Sequence, residues 1–163
     1  MGDYILHQAQ LYPQTQFIAC EVYLNGLQNI HQLATTADLQ NIQLTNDDAR
    51  DVLAQLPPES ISSIAVLYPD PWQKNKQKNR RLIQPSFISA ILRVLVPNGT
   101  LFLATDIADY ATHMQQVMAQ NSAFAATNAA TLTTPPADWV TTKYERKALK
   151  AGRTPQYMLY QKI

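Results

Sequence analysis

Bases are almost missing from the first 73 residues. Arg50 stands there against eight acids, a net of −7, whereas residues 74–163 carry twelve bases and four acids, a net of +8. A split of this kind marks either a one-sided surface for a polyanion or two solvated faces of opposite sign. Cysteine is nearly missing as well. Cys20 is the single one, so an internal disulfide is excluded, and within its apolar run it reads as a small core residue. No apolar run approaches the roughly 20 residues that cross a bilayer, and the start lacks the charged, apolar and small-residue regions of a signal peptide. A cytosolic protein without a membrane partner is the expectation. His7, His31 and His113 show no ligand spacing to one another or to Cys20, so no metal site is expected. Neither a Gly-x-Ser-x-Gly elbow nor a Walker-type phosphate loop is present, and no internal repeat appears.

What is present fits an ordinary globular chain. Its 163 residues are expected to form a single domain over 1–163, and a 46% hydrophobic content argues against global disorder. Gln16–Val22 (QFIACEV), Asn41–Thr45, Ile61–Tyr68 (ISSIAVLY), Thr100–Thr105 (TLFLAT) and Gln156–Gln161 read as strands, the first and fourth as buried ones. Helical spacing predicts helices over Asp3–Leu11, Leu24–Thr35, Ala49–Leu56, Pro85–Leu95, Ala108–Gln120 and the stretch TTKYERKALKAG. Pro85 suits a first helical turn, Pro97-Asn98-Gly99 reads as a turn, and Ser122–Pro136 as a variable connection.

Apolar strands alternating with helices predict an α/β fold: a mostly parallel sheet with helices on both faces. In such sheets ligands gather at the carboxyl ends of the strands. Glu21, Asp48, Asp70 and Asp106 each follow an apolar run, one at each of four strand ends. Taken singly, each acid is as readily a helix N-cap as a ligand, and Asp48 is well placed to cap the helix at Ala49. An acid such as Glu21 binds ribose hydroxyls when a glycine-rich turn precedes it by some twenty residues. Gly2 is all that stands where such a turn belongs, so the sequence reads as though it starts one strand late.

The segment YPDPWQKNKQKNRR, Tyr68–Arg81, sets an aspartate between two prolines ahead of Lys74, Lys76, Lys78, Arg80 and Arg81. With so little apolar content it is expected to lie outside the core and to meet phosphates electrostatically. Trp72 either stacks on an extruded base or packs the loop against the domain.

Three stretches, YPDPWQKNKQKNRRLIQPSF, LATDIADYATHM and TKYERKALKAG, resemble the bacterial tRNA (guanine-N7)-methyltransferases, from Gly2 almost to Ile163. The resemblance implies a Rossmann-like class I methyltransferase fold, S-adenosylmethionine as cofactor and tRNA as partner, with N7 of a variable-loop guanine as the methyl acceptor. It implies that Gly2, Glu21, Asp48 and Asp70 contact the cofactor or its pocket, with Asp70 also catalytic. Lys74, Asp106, Thr142, Lys143, Tyr144 and Glu145 would contact the substrate nucleotide, and Lys76, Lys78, Arg80 and Arg81 the RNA phosphates. The sequence departs from the family in two places. The first strand and its glycine loop are missing apart from Gly2, and Gln73-Lys74 replaces the Pro-Lys that usually follows the tryptophan.

In that fold the first strand lies between the second and the fourth, so its absence is expected to leave unpaired edges on Phe17–Val22 and Ile64–Tyr68. The neighbours then close the gap, another chain supplies a strand, or the region stays disordered. Weak or absent cofactor binding and association of copies through the gap are the corresponding expectations. An inactive, shortened RNA-binding relic of the family is the alternative to an enzyme. A small-molecule methyltransferase, the third reading, predicts no salt-dependent RNA binding.

Overall fold

The structure is a computed structural model that describes residues 2–127 and 133–163. The chain forms two compact units, Met1–Val52 with Pro136–Lys147, and Leu53–Pro135 with Ala148–Ile163.

The first unit contains helix α1 (Asp3–Leu11), strand β1 (Phe17–Cys20), helix α2 (Leu24–Thr36) and strand β2 (Ile42–Thr45). β1 and β2 pair in parallel with Cys20 opposite Thr45, and the Glu21 amide extends the ladder to the Thr45 carbonyl at 3.0 Å. Ile30 and Ala34, four residues apart on α2, are buried, as helical spacing predicts. Buried Asn41 donates through Nδ2 to the carbonyls of Ala9, Tyr12 and Thr15, at 3.1, 3.2 and 3.0 Å, and so ties the end of α1 to the entry of β2. The expectation of a buried strand over Gln16–Val22 is corrected. Along β1, Ile18 and Cys20 are exposed while Phe17 and Ala19 are half-buried, so Cys20 is not a core residue. β1 carries one ladder, in a two-stranded sheet, and the period of two then turns alternate side chains to solvent.

The second unit contains β3 (Ile61–Leu67), a short 3-10 helix (Asn75–Arg80), α4 (Pro85–Val94), β4 (Leu95–Thr105), α5 (Ala108–Ala119), β5 (Phe124–Ala126) and β6 (Gln156–Lys162). Two helices, α3 (Ala49–Gln55) and α6 (Lys143–Lys150), have residues in both units. The strand order is β3-β4-β6-β5, with β3 and β4 parallel and the other pairs antiparallel. From Leu101 to Thr105 every residue of β4 is buried, because a strand with neighbours on both edges and covered faces needs apolar side chains at successive positions. α4 contributes Phe87, Ile88, Ile91 and Val94 to this core, and α5 contributes Tyr110, Met114, Val117 and Met118, both at one-face helical spacing.

Two sequence expectations change here. Pro97-Asn98-Gly99 is not a turn between elements but a bulge inside β4: β3 advances from Ile61 to Ser63 while its partner advances from Leu95 to Thr100. Asn98 takes φ 63°, and a Cβ on Gly99 would lie 2.8 Å from the Val96 carbonyl oxygen, so glycine is needed for the close approach. The connection over Ser122–Pro136 holds β5, which pairs with β6, while its residues 128–132 lie outside the described residues.

Gly2 precedes α1 with φ +90°, and a Cβ there would sit 2.5 Å from Ile30 Cγ1. Gly2→Ala is therefore expected to cost about 1–3 kcal/mol through backbone strain and overpacking. A lowered urea midpoint is the expected reading, and an unchanged midpoint would contradict it.

Candidate active site

β3 and β4 run in parallel with Leu67 opposite Ala104, and the Tyr68 amide continues the ladder to the Ala104 carbonyl at 2.8 Å. Asp70 therefore follows the carboxyl end of β3 and Asp106 that of its parallel neighbour β4, the position at which open α/β sheets bind ligands. The two acids are held differently. Asp70 is exposed, in a loop whose flanking aromatics, Tyr68 and Trp72, have φ of 51° and 41°. Bulky residues avoid positive φ, and a residue before proline, as Tyr68 is, prefers extended backbone, so this loop is held in a costly shape by its surroundings. The side chain of Asp106 is 14% exposed, and its Oδ2 accepts a hydrogen bond from Arg153 Nε at 2.6 Å.

The structure shows what holds the loop. Arg81 is 1% exposed, donates from Nε to the Pro71 carbonyl at 2.9 Å, forms an ion pair with Asp109 near the start of α5, and lies 4.7 Å from the Tyr110 ring centroid. The Tyr110 hydroxyl accepts from the Ile83 amide at 3.2 Å, and Lys78 also reaches Asp109, at 3.0 Å. These bonds fasten the chain on both sides of the basic segment to α5. Arg81 is thus corrected from a phosphate contact to a buried anchor: a guanidinium excluded from solvent must keep its charged and carbonyl partners. Trp72 packs within the loop, with the Arg80 guanidinium 5.2 Å from its ring centroid. Lys74 and Lys76 are exposed.

In the first unit, Glu21 and Asp48 follow the carboxyl ends of the parallel strands β1 and β2. Glu21 is half-buried and its Oε1 accepts from the Tyr23 amide at 2.9 Å. Asp48 accepts from the Arg50 amide at 2.8 Å and from the Arg50 guanidinium at 2.9 Å, so its capping alternative is realised in these bonds. Thr142 and Glu145 are both buried and cap each other: the Glu145 amide donates to Thr142 Oγ1 at 3.1 Å, and the Thr142 amide to Glu145 Oε2 at 3.4 Å. This is a capping box at the start of α6. Trp139 Nε1 adds a bond to Glu145 at 2.6 Å. The Lys143 amide and the Arg146 guanidinium donate to Asp3, each at 3.2 Å. Burial alone would raise the Asp3 carboxyl, but the bonds from Arg146 and Lys143 outweigh it and hold it lowered. Tyr144 is exposed, with the Lys147 ammonium 5.9 Å from its ring centroid. Among the described residues no group of three or more histidine, cysteine, aspartate or glutamate side chains is placed to hold a metal ion, and no helix is long and apolar enough to cross a membrane.

Sequence reasoning missed Asp109, Tyr110 as the support under Arg81, and Arg153. Asp109 and Tyr110 lie within LATDIADYATHM, a stretch that carries the family resemblance and says nothing of packing.

Similarity to solved structures places the fold. The chain resembles an rRNA methylase from Streptococcus thermophilus with a TM-score of 0.56 and 16% identity, over 91% of this chain and 74% of that one. It resembles precorrin-6y C5,15-methyltransferase from Geobacter metallireducens GS-15 with a TM-score of 0.63 and 16% identity, over 98% of this chain and 74% of that one. The fold is the Rossmann-like fold of class I methyltransferases. Residues 1–158 match the family described as "Putative methyltransferase". The tRNA (guanine-N(7)-)-methyltransferases of Jannaschia sp. (strain CCS1) and Rhizobium etli are 36% and 37% identical to the chain, over 99% of its length and 68% and 71% of theirs. A bifunctional methyltransferase of Rickettsia felis is 36% identical over the whole chain, which spans 31% of that protein. The chain belongs to the family of the bacterial tRNA (guanine-N7)-methyltransferases.

Hydrogen bonds from Arg81 and Lys78 hold the Asp109 carboxyl below its ordinary value of 3.8. A lowered carboxyl adds stability that is complete above the unfolded value and is lost as pH falls through the folded one. Asp109→Asn is expected to lower the urea midpoint at pH 7, and the gap from wild type should close as the pH drops through and below 3.8. A gap that persists unchanged in acid would contradict the ion-pair anchor.

Proposed function

We propose that the protein transfers a methyl group from S-adenosylmethionine to N7 of a guanine in the tRNA variable loop. The observation that carries this reading is the placement of Asp70 and Asp106 after the carboxyl ends of two adjacent, parallel, in-register strands, in a chain of this family. Bound S-adenosylmethionine supplies an electrophilic methyl group on a sulfonium. Glu21 and Asp48 suit such a group by their chemistry: each is a half-buried carboxylate after a parallel strand, able to accept hydrogen bonds from hydroxyls or from an ammonium. In this reading Gly2, Glu21, Asp48 and Asp70 are the cofactor's contacts.

The chemistry asks little of the protein beyond alignment. Guanine N7 already has a lone pair, so no base has to remove a proton before attack, and fixing acceptor and donor in line is a proximity effect. Methylation leaves the purine cationic. A carboxylate accepting from the ring N–H and the exocyclic amine stabilises that charge and raises electron density toward N7. Asp70 and Asp106 fill this role. Lys74, Lys76, Lys78 and Arg80 give the RNA a cationic seat, and Lys143 and Tyr144 are exposed for substrate contact. Thr142 and Glu145 act by fixing the start of α6 from which Lys143 and Tyr144 project.

The test is methyl transfer from labelled S-adenosylmethionine to unmodified tRNA, with 7-methylguanosine as the product scored. Asp70→Asn and Asp106→Asn are each expected to lower turnover, at least one of them by about 100-fold or more, the size of effect seen when a single charge-stabilising contact is lost. Full activity in both variants would overturn the carboxylate role. Salt-dependent tRNA binding without methyl transfer would replace the enzyme with the RNA-binding reading.

A further inference from the structure

A recess of about 370 Å³ opens where β4 passes into α5, lined by Asp106, Ile107, Ala108, Arg153, Thr154 and Gln156. That volume falls in the range of roughly 300–1,000 Å³ typical of small-molecule sites. Its one acid and one base are joined: Arg153 Nε donates to Asp106 Oδ2 at 2.6 Å. The two partners are unequally sheltered, with the carboxylate 14% exposed and the guanidinium 44%. The acid is thus fixed at the inner end of the contact, and the base covers it from the solvent side.

We infer that Arg153 is an internal stand-in for guanine, occupying the base-reading carboxylate of Asp106 until the substrate base displaces it. The inference rests on the reading of Asp106 given above and adds an occluding role for a residue outside it. The reason is chemical likeness. Arginine carries an N–H and an NH₂ on one planar carbon, a fork that can fit the two carboxylate oxygens, and in the free protein one prong, Nε, is engaged on Oδ2. Guanine offers the same fragment on its Watson–Crick edge, where N1–H and the exocyclic amine share C2. Adenine, with an amine beside an unprotonated ring nitrogen, does not. A carboxylate held against a guanidinium therefore has its charge satisfied in the free protein, as a largely buried carboxylate requires. Only a base with a matching pair of donors can take over without leaving it unpaired, and a base that cannot do so leaves the pair closed and gains nothing from Asp106.

Such a latch weakens the apparent affinity for guanine by the fraction of molecules in which Asp106 is free. Arg153 is substantially exposed, and a pair of this kind is worth up to about 1 kcal/mol, which is a factor of about five in affinity. Calorimetric titration of the chain with guanosine and with adenosine tests the idea. Arg153→Ala should bind guanosine about fivefold more tightly than wild type and adenosine no more tightly. Adding Asp106→Asn to Arg153→Ala should abolish the gain. Guanosine binding that is not tightened by Arg153→Ala, or a gain that survives Asp106→Asn or extends equally to adenosine, would overturn the latch. The methyl-transfer assay fails separately. Wild-type methylation with no guanosine gain in Arg153→Ala removes the latch and leaves the methyltransferase. A guanosine gain without methylation by any form keeps the latch and removes the methyltransferase.

Discussion

The parallel register of β3 and β4 is the constraint on which the candidate site depends. Leu67 opposite Ala104, with the Tyr68 amide on the Ala104 carbonyl, makes both strands end at one level. The loops that leave there bring Pro69-Asp70-Pro71-Trp72 and Asp106 with them. A strand slipped by one residue would turn every side chain to the opposite face and would misfit the close packing of the buried run Leu101–Thr105 as well as separating the two acids. Beyond the ladder the backbone is no longer supported by strand pairing. Positive φ at two aromatic residues is tolerated because Arg81 grips the Pro71 carbonyl and is itself gripped by Asp109 and Tyr110. Rigidity in the ladder and a cationic clamp in the loop together present Asp70.

The charge split in the sequence has two physical meanings, and the structure separates them. Part of the positive half is structural. Arg81 is buried in its clamp, and Arg93 donates to the carbonyls of Leu53 and Leu56. Lys162 reaches the carbonyls of Leu92 and Leu95, at 3.1 and 2.7 Å, where the last turn of α4 presents unsatisfied acceptors that favour a cation. The rest is available. Lys74 and Lys76 project from the loop after Asp70, and Lys143 and Lys150 are exposed on α6. Within each unit these exposed cations can meet a polyanion, and such binding weakens with salt.

Local pattern made most of the fold readable. α1 spans Asp3–Leu11 as helical spacing predicts, and Pro85 opens α4. The strand over Ile61–Tyr68 ends one residue early, at Leu67, where the left-handed Tyr68 stops it. What was not legible depends on partners distant in sequence. Cys20 is apolar-flanked like a core residue, yet its exposure is decided by how many ladders β1 carries. The three residues of a turn signature became a bulge because β3 continues beside them. Arg81 sits in a polar run, and nothing local announces that Asp109, 28 positions on, will draw it inward. Asp106 was legible as a strand-end acid, while its partner Arg153, 47 residues later, was not. The position of an acid at a strand end is legible because the ladder places it, whereas a long cationic side chain such as that of Arg81 finds its own partner.

The central claim is that the ends of β3 and β4 serve one guanine. Its most direct measurement is a guanosine titration followed at the backbone amides of Asp70, Trp72, Asp106 and Ala108 by nuclear magnetic resonance. Perturbation of both strand ends with one common dissociation constant is the result expected. Perturbation at one end alone, or two separate affinities, would contradict it.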